Sequence, residues 1–352
     1  VGSLDTAPLH ALVATRGARA TTIDPMPGGA STRLYFRVAL ASPESSPATL
    51  TTAVAMFVPD GAKAEEIDKG GAPRRWPFLE VGELLAARGV RVPSVLAEDV
   101  TRGWLLLEDL GDETLAAALE RSPEDRARLY TRAVRDLARA QRSLAELPED
   151  SVVRGRAFDE DLLFWELDHF REWGLDARGK ALAPPDRAEF DAVARHLARR
   201  IAALPRGFTH RDYQSRNLMV KDGELVWIDF QDALLGPRVY DLVALLNDSY
   251  QSFDRAFTEA RLDEYAAEAG LIPEERAALG AQFDLVTVQR KLKDAGRFVF
   301  IDRVKHNPSF LPFVVPTLRK VAGALRRLEE RDEDVARLAD LLRRALPEEL
   351  AR

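Results

Sequence analysis

Apolar and polar positions divide the chain into a strand-rich front and a helical rear. Leu4, Leu9, Leu12 and Val13 recur on one face of a short helix over 4–16, and Gly17 stands where helices favour a glycine stop. Tyr35-Phe36-Arg37-Val38 and the run 51–58 are rich in β-branched and aromatic residues. Pro-Gly-Gly and Ser-Pro stretches separate them, so they predict antiparallel strands of a small sheet. Helical spacing of Phe78, Val81, Leu84 and Leu85 predicts a helix over 77–88, stopped by Gly89, and 95–97 and 104–107 predict two further strands. Beyond Gly111, long amphipathic patterns follow at 112–145, 158–174, 186–203, 257–268, 274–302 and 311–347, with a single strand-rich interruption at 208–233. The texture changes near 108–111, which predicts one part over 1–109 and a second over 110–352. No repeat of 20 to 50 residues is apparent, which argues against a solenoid.

Composition narrows the class. A chain of 352 residues exceeds a single ordinary core, so two lobes are expected. With 46% hydrophobic and 30% charged residues it reads as a globular protein, and it has no run of roughly 18 apolar residues to cross a membrane. The net charge of -7 argues against a protein built to coat nucleic acid. The absence of cysteine excludes a disulfide scaffold and a thiolate nucleophile, and fits a cytoplasmic location. The first residues, Val1 to Asp5, lack the basic and apolar regions of a signal peptide.

The residues that carry chemistry lie in the strand-rich interruption. Thr209-His210-Arg211-Asp212-Tyr213-Gln214-Ser215-Arg216-Asn217 is followed by Leu225-Val226-Trp227-Ile228-Asp229-Phe230-Gln231. Phosphoryl transfer needs a carboxylate to orient an attacking hydroxyl and hard oxygen ligands for Mg²⁺ on the phosphates. Asp212, Asn217 and Asp229 supply those types. The runs 218–220 and 226–228 predict two short strands joined by a turn at Lys221-Asp222-Gly223. Taken singly, each aspartate is also a solvated turn or a helix cap.

Together these residues resemble the catalytic loop and metal-binding aspartate of the kinase superfamily. The wording Asp229-Phe230-Gln231-Asp232-Ala233, with Gly236-Pro237 and Tyr240-Asp241-Leu242, is similar to the small-molecule branch that includes aminoglycoside and choline kinases. The resemblance implies an α+β, two-lobed protein-kinase-like fold, with a small antiparallel-sheet nucleotide-binding lobe and a larger, mainly helical lobe holding the catalytic loop, metal site and acceptor site. It implies ATP as co-substrate, Asp212 as catalytic base, His210 as a brace for the loop, Asn217 and Asp229 as Mg²⁺ ligands, and Asp241 as a structural aspartate. Asp241 also precedes the apolar run 242–246, where it is a candidate N-cap.

The front part carries candidate nucleotide contacts. Gly28, Gly29 and Ser31 precede a strand and suit a loop over phosphates, although a glycine pair there also reads as a turn. The kinase pattern expects a strand lysine, and Met56 stands near its place. Arg33 or Arg37 is the expected substitute cation, with Glu80 as acidic partner. Leu105 to Gly111 is similar to the superfamily hinge, where backbone near Glu108 and Leu110 meets adenine.

The likeness is greatest to the bacterial anomeric amino-sugar kinases of cell-wall recycling. It is carried by Gly29 to Val38, Leu106 to Asp112, Leu163 to Trp173, Asp229 to Ala233 and Gln289 to Lys293. It implies an amino-sugar acceptor, with Glu166, Gln231 and Arg290 as candidate substrate contacts. An aminoglycoside or a choline-like amino alcohol is the alternative acceptor, and the missing strand lysine leaves a nucleotide-binding pseudokinase as a reading of another class. Charge cuts both ways. Asp159, Glu160, Asp161, Glu166, Asp168 and Glu172 would draw a cation, whereas Arg290, Lys291, Lys293, Arg297, Arg303 and Lys305 would suit a carboxylate; each run also reads as a solvated helix face. Trp165 and Trp173, eight apart, are expected in the core.

Overall fold

The structure is a computed structural model that describes residues 4–27, 32–41, 51–59 and 75–350. The chain forms two compact units. One comprises residues up to Glu113 together with Met219–Asp232, and the other comprises Thr114–Leu218 and the chain from Ala233 onward.

The first unit is built on a five-stranded sheet in which every neighbouring pair is antiparallel. Its strands are β1 (Arg19–Pro25), β2 (Leu34–Ala41), β3 (Thr52–Phe57), β4 (Val95–Asp99) and β5 (Trp104–Glu108), in the order β1-β2-β3-β5-β4. Strand periodicity sends alternate residues to opposite faces. Val38, Ala53, Ala55 and Leu106 therefore join Leu9, Leu12 and Val13 of helix α1 (Ala7–Ala14) in one apolar cluster. Leu9 and Val13 are fully buried there, each contributing about 1.5–3 kcal/mol. The turn that follows α1 closes at Gly17, whose φ of 68° is readily adopted without a Cβ. The opposite parity, Tyr35, Arg37 and Met56, belongs to the other face of the sheet.

Helix α2 (Pro77–Ala87) follows, with Phe78, Leu79, Val81 and Leu85 buried. The first unit also takes in the hairpin of β7 (Leu218–Lys221) and β8 (Glu224–Trp227), which follows β6 (Arg206–Thr209) in the chain. Asp222 and Gly223 both have positive φ, 51° and 75°, as a two-residue turn of the primed type requires. A cut along the sequence at 109/110 assigns this hairpin to the rear. In the structure it groups with the sheet, because the Trp227 N–H donates to the Arg91 carbonyl at 2.9 Å and the Val220 N–H to that of Glu113 at 2.7 Å.

The second unit is mainly helical. Its helices are α3 (Leu115–Arg121), α4 (Arg126–Ser143), α5 (Glu160–Phe170), α6 (Pro184–Ala202), α7 (Tyr240–Leu246), α8 (Arg255–Ala269), α9 (Pro273–Lys305), α10 (Val314–Leu328) and α11 (Glu333–Ala345). β6 pairs antiparallel with β9 (Leu234–Pro237), from Arg206 opposite Pro237 to Thr209 opposite Leu234. Gln141 fastens that pair to α4: its Nε2 donates to the carbonyls of Phe208 and Arg238, both at 3.1 Å. Among the described residues no helix is long and apolar enough to cross a membrane.

Two packing expectations are corrected. Trp165 is 43% exposed rather than in the core. A π-helical turn at 171–175 follows α5 and breaks the helical phase that relates it to Trp173. The basic run on α9 is not a solvated face at its start, since Arg290 and Lys291 are buried.

Candidate active site

Residues 210–217 connect β6 to β7, and buried polar groups of the helical unit pin this loop at several points. The Asp241 carboxylate accepts the backbone N–H of His210 at 2.6 Å and that of Arg211 at 2.9 Å. Asp241 lies inside the first turn of α7, whose N-cap is Val239, so the expected N-cap role is corrected: the carboxylate caps the loop and not its own helix. Arg211 takes φ of 79°, a conformation that costs a non-glycine residue on the order of 1 kcal/mol or more. Arg290 holds the far side of that residue, its Nη1 donating to the Arg211 carbonyl at 2.8 Å. At the other end of the loop Asp248, fully buried, accepts the N–H of Ser215 at 2.9 Å and its hydroxyl at 2.5 Å. Leaving any of these buried donors unpaired would cost about 1–3 kcal/mol.

Asp212 emerges from this frame with its side chain 32% exposed, while Arg290 Nη2 lies 3.5 Å from its Oδ1. Burial alone would raise its pKa. The charges of Lys293, Arg290 and Arg211 outweigh burial and hold the carboxyl below the usual range, so at neutral pH it is an anion. The Asn217 amide donates its Nδ2 hydrogen to the Asp212 carbonyl at 2.8 Å, which orients the side chain and leaves Oδ1 as an acceptor. His210 is fully buried beneath the loop, edge-on to Tyr213 at 5.7 Å. Asp241 behaves oppositely to Asp212. Burial pushes its pKa up to about 7 against the opposing pull of the His210 N–H and of Arg290.

Three expected acceptor contacts have other partners. Arg290 and Glu166 are fully buried and present no surface to a ligand. Glu166 accepts Gln289 Nε2 at 2.7 Å and faces Arg211 Nη2 at 3.5 Å, while the Arg290 guanidinium lies 4.7 Å over the Tyr240 ring. Both sit in the network that shapes the loop from behind. Gln231, in the sheet unit, is 4% exposed and donates through Nε2 to Asp229 Oδ1 at 2.9 Å and to Asp232 Oδ2 at 3.0 Å.

In the sheet unit Asp229 follows β8 with φ of 63°, a second non-glycine residue in the left-handed region. Its neighbour Phe230 anchors it. That ring stacks on Phe78 of α2 with centroids 5.0 Å apart, and a Cβ on Gly82 would come within 3.2 Å of it. Arg33 Nη1 lies 3.7 Å from Asp229 Oδ1. Arg37 is corrected as a phosphate cation, because its guanidinium is bonded to Asp109 at 2.9 Å and to Asp112 at 2.8 Å. Met56 is fully buried between Tyr35 and Leu105. Glu80 stands half-buried in the first turn of α2, and Gly28, Gly29 and Ser31 lie outside the described residues.

The segment after β5 is braced by side chains. Glu108 Oε1 meets Arg91 Nη2 at 2.5 Å and Lys221 Nζ at 3.2 Å, and its Oε2 accepts the Ser94 N–H at 3.1 Å. Lys221 Nζ also donates to the Asp109 carbonyl at 2.6 Å. Among the described residues the backbone N–H and C=O of Leu110 make no hydrogen bond. The sequence carried no sign of Asp248 or Lys221 in these roles, since each acts through a partner more than thirty positions away.

A strand-built unit and a helical unit with this loop between β6 and β7 define a protein-kinase-like phosphotransferase. The phosphotransferase enzyme family (APH) matches residues 22–279, and this chain belongs to it. It is similar to the N-acetylmuramate/N-acetylglucosamine kinase of Pseudomonas putida, 34% identical over 270 residues that span 74% of this chain and 77% of that protein. It is likewise similar to the enzyme of the same name from Neisseria meningitidis, 32% identical over 279 residues, with 76% and 78% covered. Among solved structures the fold matches an ADP-bound aminoglycoside phosphotransferase, APH(2'')-Ib, with a TM-score of 0.55 at 12% identity over 91% of this chain and 99% of that one. It also matches a choline/ethanolamine kinase family protein from Mesorhizobium loti, with a TM-score of 0.54 at 16% identity over 91% and 92%. The family and the kinase-like fold implied by the motifs are therefore those of this chain.

Proposed function

We propose that this phosphotransferase is an ATP-dependent sugar kinase of the cytoplasm that phosphorylates the anomeric hydroxyl of N-acetylmuramic acid or N-acetylglucosamine. The observation that carries the acceptor is the likeness, over about three quarters of both chains, to relatives that bear that name. The surroundings of Asp212 support it, since the partly exposed cation Lys293 beside it suits an anionic acceptor better than a polycationic aminoglycoside.

In this reading Asp212 accepts a hydrogen bond from the acceptor hydroxyl and takes its proton as the new O–P bond forms. The bond from the γ-phosphorus to the β-phosphate oxygen breaks, and ADP leaves. A carboxylate held below its ordinary pKa is a weak base, so its main work is orientation, as a loose phosphoryl-transfer transition state allows. Asn217 and Asp229 offer the hard oxygens that suit Mg²⁺, and they are the proposed ligands. Bound there, the ion would neutralise charge on the phosphates. Arg33 is the proposed phosphate-side cation, with Gly28, Gly29 and Ser31 as the phosphate loop and Glu80 in a supporting role. The backbone groups of Leu110, unpaired among the described residues, are with the backbone near Glu108 the proposed adenine contact.

An ATP-consumption screen over N-acetylmuramate, N-acetylglucosamine, aminoglycosides and choline tests this reading. Turnover is expected with the two amino sugars, together with loss of reducing-sugar reactivity in step with ADP release. Turnover confined to aminoglycosides or choline would reassign the acceptor, and nucleotide binding with no turnover on any of them would favour a binding module.

A further inference from the structure

Three cations lie close together on α9, and they are committed to very different degrees. Arg290 is fully buried and spent on the Arg211 carbonyl and on Asp212. Lys291 is 1% exposed, with Nζ 2.7 Å from Asp294 Oδ2 and 3.4 Å from Ser249 Oγ. Lys293 differs from both. Its side chain keeps 12% of its surface, and its ion pair to Asp294 Oδ1 is 3.6 Å long, beyond hydrogen-bond range. An ammonium has three donors, and among the described residues none of those on Lys293 makes a hydrogen bond.

Position and charge add to this. Lys293 stands three residues after Arg290, so the two share a helix face, and Arg290 is the residue that reaches Asp212. Lys293 stands in the field of the carboxylates Asp294, Glu166 and Asp212, yet among the described residues none of them accepts a hydrogen bond from its Nζ. An under-coordinated, partly exposed ammonium beside the group that orients the acceptor is suited to an anionic acceptor substituent.

We propose that Lys293 receives a carboxylate on the acceptor and so sets the preference between N-acetylmuramate and N-acetylglucosamine. The two sugars share the ring, the acetamido group and the anomeric hydroxyl, and they differ by an ether-linked lactate whose carboxylate is the one charge between them. This assignment rests on the amino-sugar reading above and deepens it by giving one residue the discrimination.

The experiment is steady-state kinetics of full-length wild type, Lys293→Met and Lys293→Arg with both sugars. In Lys293→Met the ratio of kcat/KM for N-acetylmuramate to that for N-acetylglucosamine should fall about 10- to 100-fold, mainly through KM, and Lys293→Arg should restore most of it. The ratio is taken within one preparation, so it is insensitive to the folded fraction. An unchanged ratio, whether both activities fall or neither does, overturns the proposal. Wild-type protein that phosphorylates neither sugar overturns the amino-sugar reading itself, an outcome visible before any variant is compared.

Discussion

Asp241 in the helical unit and Glu108 in the sheet unit are both carboxylates that accept backbone N–H groups, yet their surroundings move them in opposite directions. Asp241 is fully buried, accepts two loop N–H groups and is pushed up to about pKa 7. Burial works against ionisation at Glu108 as well. There Arg91, the Ser94 N–H and Lys221 overcome it, and the pKa falls to about 2. The helical unit thus holds its loop through a desolvated network in which the loss of a partner leaves a buried group unpaired. The sheet unit braces the segment after β5 with ion pairs that water still reaches. A desolvated network fixes geometry at a cost in stability, whereas a wetted one contributes modest stability and tolerates loss.

The largest expected effect is at the residue the buried network presents. Asp212→Asn keeps shape and removes the charge, so kcat should fall about 10²- to 10⁴-fold while nucleotide affinity stays within about twofold. Comparing single-turnover rates with nucleotide titration checks both arms. A kcat near wild type would remove Asp212 from the chemistry and leave the network with no evident purpose.

The second effect separates the two carboxylates by the sign of their pH dependence. The native state holds the Asp241 proton up to about pH 7, whereas the unfolded chain releases it near the ordinary aspartate value of 3.8. Between those values the native state binds more protons, so the Asp241 contribution to stability declines as pH rises and is lowest above pH 7. Asp241→Asn does not titrate. The stability of wild type relative to this variant should therefore decrease by on the order of 3 kcal/mol from pH 4 to pH 7, measured by urea unfolding. A difference that is flat or that grows with pH would show that the two N–H bonds keep Asp241 ionised throughout.

Much of this arrangement was readable in the chain, and the unreadable parts share a cause. The hairpin turn at Asp222-Gly223 follows from local chemistry, because both positions take positive φ. The coupling of Asn217 to Asp212 follows from spacing within one loop. Strand β1 leaves no alternating apolar signature in the sequence, because it is an edge strand on which Ala20 alone is buried. The burial of Arg290, Glu166 and Lys291 is not legible in the sequence, because charged residues are normally solvated and their burial depends on partners from distant elements. Arg37 stands where a phosphate cation is expected, but the fold brings Asp109 and Asp112, over seventy positions away, within reach of it. Local rules survive folding, whereas the assignment of a buried charge depends on the whole unit.

The smallest expected effect is the counterpart at Glu108, and it completes the contrast. The folded pKa of about 2 lies below the ordinary 4.5, so the Glu108 contribution is fully present above about pH 4.5 and is lost as pH falls through about 2. The Arg91 side chain is 35% exposed and that of Lys221 30%, so solvent screens both pairs and limits the contribution to about 1–2 kcal/mol. Glu108→Gln should therefore be less stable than wild type at pH 7 by about that amount, with the gap closing on acidification between pH 4.5 and pH 2. Acid pulls this difference down, whereas the Asp241 difference grows over its own acidic window between pH 7 and pH 4. Raising the salt concentration to about 1 M should shrink the Glu108 gap at pH 7 and leave the Asp241 gap nearly unchanged, because screening acts on wetted pairs far more than on desolvated ones. If salt shrinks both gaps alike, the distinction between the two ways of holding a carboxylate fails.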